Sequence, residues 1–271
     1  MSHRTTAGIV AVVAVGLAVT ACSSTPSSEA DRSPDVIHIG VQTDQPGLGY
    51  FDGQVRSGFE YDLANWLADR LGKKPYFVDL KPDAREIALK DGGVELMIGT
   101  YSQTDAREGE GVAFVGPYLI TQQGMLVLAT DTATDAEAVR SSGTVCAARG
   151  TTSIAQLTEL GYRPFEGIGD GDCVRSLLLG ESVRAVSTDQ LILRGWANAD
   201  KRLRVVDGVF GKQERYGIGL RQGNRDLCER VTAALKEYML SGYWETHFRN
   251  HFAITPAPGT KPDVNALNRC S

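Results

Sequence analysis

The stretch VIHIGVQTDQPGLGYFDGQVRSGFEYDLANWLADRLG, residues 36–72, decides the fold class of this chain. Its first six residues alternate between strongly and weakly apolar side chains, which is the two-residue period of a β-strand. A four-residue spacing then marks one apolar face of a helix, formed by Phe59, Leu63, Leu67 and Leu71. A strand followed by an amphipathic helix is the repeating unit of α/β folds.

The same alternation continues outward from this stretch. Ser57 and Glu60 have the spacing of a capping box, which predicts where the first helix begins, and Gly72 predicts where it ends. Further strands are expected at 76–80, 94–99, 144–148 and 183–188, and helices at 85–90, from about 152, and at 174–179, 190–196 and 226–239. The pattern predicts an α/β fold with largely parallel sheets.

Composition and charge exclude several classes of protein. The 271 residues are 42% hydrophobic and 23% charged, which is typical of a globular chain and not of a disordered one. The net charge is 28 minus 33, or −5, without basic clusters that would neutralise phosphates. We therefore expect no nucleic-acid partner.

The first residues indicate export. Residues 1–21 combine Arg4 with an uncharged apolar segment that is short for a membrane span, as in a secretory signal peptide. The segment ends in VTAC, which resembles a lipobox, so we expect a diacylglycerol thioether on Cys22 to anchor the chain to the membrane. The alternative is an ordinary cleaved signal with Cys22 as a spare thiol. Residues 22–35 are rich in Ser and Pro and predict a flexible tether.

Four cysteines remain for the folded body, namely Cys146, Cys173, Cys228 and Cys270. An even number in an exported chain favours disulfides, and three pairings are possible. We favour Cys146–Cys173 and Cys228–Cys270, because each bond joins neighbours within one apparent segment.

Polar residues follow the predicted strands where parallel strands end, which is where open sheets bind ligands. These residues are 44–47, 100–102, 150–152 and Asp189, with Arg107 shortly after the second group. An arginine grips a carboxylate with two hydrogen bonds, and an aspartate accepts from an ammonium. Each residue alone is typical of a helix cap or a surface charge, but together they suit a zwitterion.

Five motifs then identify a family. They are DQPGLG (44–49), GFEYD (58–62), TYSQTDAR (100–107), FVGPY (114–118) and YGIGL (216–220). With them, residues 36 to 253 resemble the extracellular solute-binding proteins of the polar amino-acid branch that serve ABC importers. The similarity is greatest to glutamate-binding lipoproteins of Gram-positive bacteria.

The resemblance implies a periplasmic-binding-protein-like (type II) α/β fold of two lobes joined by two crossing strands. Lobe 1 would comprise residues 36–123 and 219–253, and lobe 2 residues 124–218. Residues 254–271 would form a C-terminal tail tied by a disulfide. The Cys146–Cys173 pair also matches the glutamate-binding group.

The resemblance further implies the roles of individual residues. Arg107, with Ser102 and the main chain near Thr152, would bind the α-carboxylate of an amino acid. Asp189 and Thr100 would bind its α-ammonium group. Arg85 occupies the position at which acidic-amino-acid binders place an arginine for the side-chain carboxylate.

Gln42 departs from the pattern, because glutamate binders often carry lysine there. A glutamine supplies hydrogen bonds without charge and suits either an acid or an amide. Because a buried Arg85 outweighs a neutral Gln42, we expect glutamate or aspartate to bind more tightly than the amides.

The sequence therefore predicts a monomeric, lipid-anchored receptor at the extracellular face of the cell membrane, which hands an amino acid to the permease subunits of an ABC importer. We expect no enzymatic activity, no cofactor and no metal; His247 and His251 lack a third ligand. The alternatives are a sensor that signals by the same closure, and a dehydratase-type enzyme on the same fold.

Overall fold

In the computed structural model of the chain, the described residues are 1, 3, 33–141, 143–268 and 270. Nearly all of the predicted signal peptide, the lipidation site Cys22 and most of the predicted tether lie outside the described residues. Within those that are described, no helix has the length and apolar character needed to cross a bilayer.

The strands and helices alternate along most of the folded body. The strands are β1 (Val36–Val41), β2 (Asp44–Gln45), β3 (Gly49–Phe51), β4 (Arg56–Ser57), β5 (Lys74–Asp79), β6 (Leu96–Ile98), β7 (Val112–Leu128), β8 (Thr144–Ala148), β9 (Phe165–Gly167), β10 (Val183–Asp189), β11 (Leu203–Val205) and β12 (Phe210–Arg221). The α-helices are α1 (Phe59–Arg70), α2 (Arg85–Lys90), α3 (Asp105–Gly109), α4 (Ala136–Arg140), α5 (Thr152–Glu159), α6 (Asp170–Leu178), α7 (Gln190–Ala199), α8 (Arg225–Leu240) and α9 (Tyr243–Phe252). Short 3₁₀ turns cover Pro82–Ala84 and Val264–Ala266.

The main sheet has the order β5-β1-β6-β12-β7-β10-β8-β9, and β11 pairs with β7. Parallel pairs lie toward both ends, where β1 pairs with β5 and β6 and where β8 pairs with β9 and β10. The sheet is mixed rather than largely parallel, because the long strands β7 and β12 run antiparallel to each other between the two groups. Hydrophobic periodicity predicts strands but not their direction, so the sequence pattern overestimated the parallel character.

Helix α1 has the predicted apolar face but not the predicted cap. Phe59, Leu63 and Leu67 are fully buried in the core. Gly58 rather than Ser57 is the N-cap, and no side chain caps the helix. The capping-box prediction is wrong because the carbonyls of Gly47 and Leu48 already accept the N–H groups of Phe59 and Glu60, each at 3.1 Å.

Glu60 is turned instead into the interior, where it is 1% exposed. Its Oε1 accepts hydrogen bonds from the backbone N–H of Thr100 at 2.6 Å and from the hydroxyl of Tyr118 at 2.5 Å. Burial raises the pKa of Glu60, and the Tyr118 hydroxyl and the Thr100 amide oppose this rise. A residue with the spacing of a helix cap therefore links α1 to the loop after β6.

The apolar interior is divided between the two ends of the sheet. One hydrophobic cluster packs α1, α8 and α9 against β1 and β6, while others lie between β7, β8, β10 and the helices of residues 136–199. Disulfides join Cys146 to Cys173 and Cys228 to Cys270, the two pairs favoured from the sequence. The second bond fastens the C-terminal tail, whose Thr260 carbonyl accepts from the N–H of Ile120 in β7 at 2.9 Å.

Candidate functional site

A buried polar cavity lies where residues 36–123 meet residues 124–218. Its lining consists of Gln45, Arg85, Thr100, Ser102, Arg107, Thr151, Thr152, Ser153, Asp170, Thr188, Asp189 and Ile192. Most of these residues stand at the carboxyl ends of β6 and β10 and at the first turns of α2, α5 and α6, while Gln45 lies in β2, Arg107 in α3 and Ile192 in α7. Six of the seven residues that the sequence nominates for ligand binding are therefore brought together, and Gln42 is not in the lining.

Arg107 is held by acceptors on three sides. Its Nη1 donates to the carbonyl of Ser102 at 2.6 Å, and its Nη2 donates to the carbonyl of Gly150 at 3.1 Å. Its Nε donates to Glu86 Oε1 at 3.1 Å. The guanidinium also lies 4.6 Å from the ring centroid of Tyr101. Among the described residues, these bonds leave one N–H on each Nη free for a carboxylate, because a guanidinium has five donors.

Arg107 stands in α3 because of a local sequence signal. Thr104 is the N-cap of this short helix, and its hydroxyl accepts from the backbone N–H of Arg107 at 3.3 Å. The arginine is only 8% exposed, so a bound carboxylate would be largely removed from water. A charge-assisted pair in such a place is stronger than one at the surface.

Asp189 is the last residue of β10 and the N-cap of α7. Its Oδ1 accepts from Gln123 Nε2 at 2.9 Å, and its Oδ2 accepts from the hydroxyl of Tyr216. Burial raises the pKa of Asp189 well above its ordinary value, and the nearby carboxylate of Glu214 raises it further. A cation placed here would be stabilised by two buried carboxyl groups.

Thr100 has an unusual backbone. Its φ of 45° lies in the left-handed region, which costs a residue with a Cβ about 1–2 kcal/mol. The bond from its N–H to Glu60 holds this conformation, and Gln45 Nε2 donates to its hydroxyl at 3.1 Å. The strained residue therefore presents its side chain to the cavity from a fixed position.

Arg85 is the first residue of α2 and is 2% exposed. Burial lowers its pKa, and the charge of Arg107 lowers it further. With its amide oxygen facing Arg85, Gln42 accepts hydrogen bonds from the guanidinium and donates to Asp44 Oδ1 at 3.2 Å. Gln42 thus contacts Arg85 and Asp44 from outside the cavity lining.

Sequence reasoning missed several residues in the lining, above all Gln45 and Asp170. Gln45 lies within the DQPGLG motif and was noted only as part of a polar group. Asp170 lies in the run GIGDGD, residues 167–172, to which sequence reasoning assigned no role. Its position at the first turn of α6, directly after a glycine, was the signal that could have found it.

His247 and His251 lie away from the cavity and contact one carboxylate. His251 Nε2 is 2.6 Å from Asp62 Oδ2, and His247 Nδ1 is 2.9 Å from the hydroxyl of Tyr238. Across the described residues, no group of three or more His, Cys, Asp or Glu side chains is arranged to hold a metal ion.

Comparison with known proteins gives similar chains both among curated proteins and among solved structures. Two are glutamate-binding proteins GluB: that of Corynebacterium glutamicum is 29% identical, covering 95% of this chain and 94% of the relative, and that of Corynebacterium efficiens is 31% identical, covering 90% and 91%. Among solved structures, the receptor for L-cysteine of Neisseria gonorrhoeae aligns with a TM-score of 0.75 at 26% identity, covering 86% of this chain and 95% of that one.

The family described as bacterial extracellular solute-binding proteins, family 3, matches residues 37–254. This match and the two-lobed structural neighbours confirm both the family resemblance and the α/β fold inferred from the motifs. Because the match spans most of the chain, the protein belongs to the bacterial extracellular solute-binding proteins, family 3.

Proposed function

We propose that the protein binds glutamate or aspartate in the buried cavity and delivers it unchanged to an ABC importer. Arg107, with Ser102 and the first turn of α5 at Thr152, binds the α-carboxylate. Asp189 and Thr100 receive the α-ammonium group, and Arg85 receives the side-chain carboxylate. The names of the two Corynebacterium relatives support glutamate as the ligand.

One observation carries the proposal: Arg85, Arg107 and Asp189 line the same cavity. The two guanidinium groups suit the two carboxylates of an acidic amino acid, and Asp189 suits its ammonium, while Asp170 adds a second carboxyl group to the same lining. Arg107 already contacts Glu86 at 3.1 Å, so a ligand carboxylate would complete its pairing.

We propose hinge closure as the mode of capture, with lobe 1 comprising residues 36–123 and 219–253 and lobe 2 residues 124–218. The lobes are connected through β7 and β12. Arg107 supports this assignment, because its bond to the Gly150 carbonyl joins the two segments beside the cavity. A ligand that contacts both lobes binds the closed state more tightly than the open state. Binding therefore shifts the equilibrium toward the closed state.

We further propose that a lipid on Cys22 holds the protein at the extracellular face of the membrane, beside the permease subunits. Cys22→Ala should release the protein from the membrane fraction into the medium. A variant that stays membrane-bound would contradict the lipid anchor and leave the ligand assignment untouched.

Calorimetry of residues 23–271 against the twenty amino acids tests the ligand. We expect glutamate or aspartate to bind about tenfold more tightly than glutamine or asparagine at neutral pH, which corresponds to about 1.4 kcal/mol. Arg85→Gln should erase or reverse this ratio, because the unpaired positive charge that favours the acid is gone. Arg202→Gln, which removes an arginine paired with Asp200 at the surface, is the matched control. A wild-type protein that prefers glutamine would overturn the proposed ligand.

A further inference from the structure

Two buried oxygen atoms in the lining of the cavity lack hydrogen-bond donors among the described residues. They are Oδ1 of Asp170 and Oε1 of Gln45, whose residues are each only 1% exposed. Unpartnered acceptors in the interior are costly and rare, so each of them is suited to receive a donor from a ligand.

The hydrogen bonds around Gln45 fix which atoms remain available. Its Nε2 donates to Asp170 Oδ2 at 2.8 Å and to the hydroxyl of Thr100 at 3.1 Å. Both amide hydrogens are therefore used, and the amide oxygen and the second carboxyl oxygen of Asp170 are left as acceptors. An amide NH₂ group can donate to such acceptors directly. A carboxylate cannot, because it is itself only an acceptor.

A proton on Asp170 changes this chemistry. Protonated at Oδ1, the carboxyl group becomes a donor and can bond to a ligand carboxylate. Burial raises the pKa of Asp170 to about 6, and the charge of Asp44 also raises it, whereas the hydrogen bond from Gln45, the charge of Arg85 and the nearby hydroxyl of Thr188 lower it. Both protonation states are thus accessible near neutral pH.

The ionisable groups packed around Asp170 come from several elements. Asp44 comes from β2, Arg85 from α2 and Asp189 from β10, and Asp172 shares helix α6. Asp172 points away, because its carboxylate accepts from Arg175 and from the N–H of Ile168.

The other neighbouring strands add little charge. In β8 the titratable side chain is that of Cys146, which is held in a disulfide. In β9 it is Glu166, which is exposed, and in β7 it is Tyr118, which donates to Glu60. The charge around Asp170 therefore comes from Asp44, which lies 3.6 Å from Lys81, and from Arg85 and Asp189.

We propose that Asp170 tunes the choice between acid and amide ligands: a proton on its carboxyl group favours glutamate or aspartate, and loss of that proton shifts the preference toward the corresponding amide. This inference rests on the proposed function, because it refines the ligand class of the same cavity. Acid binding then brings a proton onto Asp170, and amide binding does not. By linkage, the acid loses affinity relative to the amide as the pH rises, by up to tenfold per pH unit.

The test measures the ratio of the amide Kd to the acid Kd for glutamine and glutamate, and for asparagine and aspartate, between pH 5.5 and pH 8. Each pair shares its α-carboxylate and α-ammonium, so the titration of groups that contact these, such as Asp189, cancels in the ratio. The side-chain carboxylate of glutamate is already ionised, since its ordinary pKa is about 4.3.

We expect the wild-type ratio to fall at least about tenfold from pH 6 to pH 8. In Asp170→Asn the ratio should change by less than about twofold over the same pH range, because an asparagine side chain does not titrate. Asp172→Asn removes one negative charge from the same helix outside the cavity and should keep the wild-type slope. A second measurement needs no variant: calorimetry of the wild type in buffers of different ionisation enthalpy should show more proton uptake with glutamate than with glutamine.

The outcomes separate this inference from the proposed function. A wild-type ratio that does not change with pH, equal proton uptake for acid and amide, or an unchanged slope in Asp170→Asn would overturn the role of Asp170. A ratio that shifts with pH while the amide binds more tightly throughout would overturn the proposed acid preference and support the role of Asp170. Absence of acid binding even at pH 5.5 would overturn both.

Discussion

At the residue scale, the assignment depends most on Arg107. Its guanidinium is fixed by the carbonyls of Ser102 and Gly150, which leaves one N–H on each Nη for a ligand. We expect Arg107→Ala to weaken binding severely, because a buried ligand carboxylate would lose its charged partner at a cost of about 3–5 kcal/mol. Calorimetry should show an affinity loss of about 150-fold to 5,000-fold.

Arg107→Lys serves as the matched variant. A lysine keeps the charge but lacks the planar fork, so it should recover only part of the affinity. Thermal unfolding of both variants shows whether the fold survives. Unchanged affinity in a folded Arg107→Ala protein would contradict the carboxylate assignment.

At the scale of a single element, the start of α1 depends on a glycine. Gly58 has φ 124° and ψ 165°, a region essentially restricted to glycine, and a Cβ there would lie 1.9 Å from the carbonyl oxygen of Leu48. We expect Gly58→Ala to destabilise the protein by about 2–6 kcal/mol, of which about 1–3 comes from the backbone and about 1–3 from overpacking. Urea unfolding measures the difference.

Gly53 provides the control for this element. It also has a positive φ, of 97°, but a Cβ there would meet nothing within 4 Å. Gly53→Ala should therefore lower the free energy of unfolding by the backbone cost alone, without a contribution from overpacking. Equal destabilisation by the two substitutions would mean that the Leu48 carbonyl moves aside and does not fix the entry to α1.

At the scale of the whole molecule, close contacts join the two proposed lobes. In α7, a Cβ on Gly195 would lie 1.9 Å from the carbonyl oxygen of Pro46. Gly195→Ala should therefore hinder closure and lower ligand affinity by about 1–3 kcal/mol, or about 5-fold to 150-fold. The ligand-free protein should not lose stability, because alanine favours a helix over glycine by about 1 kcal/mol.

The prediction is specific because the substitution should weaken ligand binding without destabilising the ligand-free protein. Calorimetry and thermal unfolding of the same preparation measure both. Gly109→Ala, in α3, is the control, because a Cβ there would meet nothing within 4 Å. A Gly195→Ala variant with wild-type affinity would mean that α7 and the Pro46 loop need not meet when the ligand is bound.

The sequence by itself determined the features that depend on local patterns. The positions of β1, α1 and α8 follow from hydrophobic periodicity, as the buried face of α1 illustrates, whereas the long strands β7 and β12 were not predicted. The TYSQTDAR motif identified Arg107 as a candidate ligand residue, and the end of a predicted strand located Asp189. These assignments are possible because each depends on residues a few positions apart.

Only the tertiary structure decided which distant residues meet. Gln45 and Asp170 are 125 positions apart, and their hydrogen bond exists because two segments of the chain close on one cavity. In the same way, Glu60 bonds to Thr100 rather than capping α1. Periodicity and spacing carry no information about how one packed layer lies on another. Asp170, the charged residue of the lining that sequence reasoning missed, therefore became visible only when the packing had brought it beside Gln45.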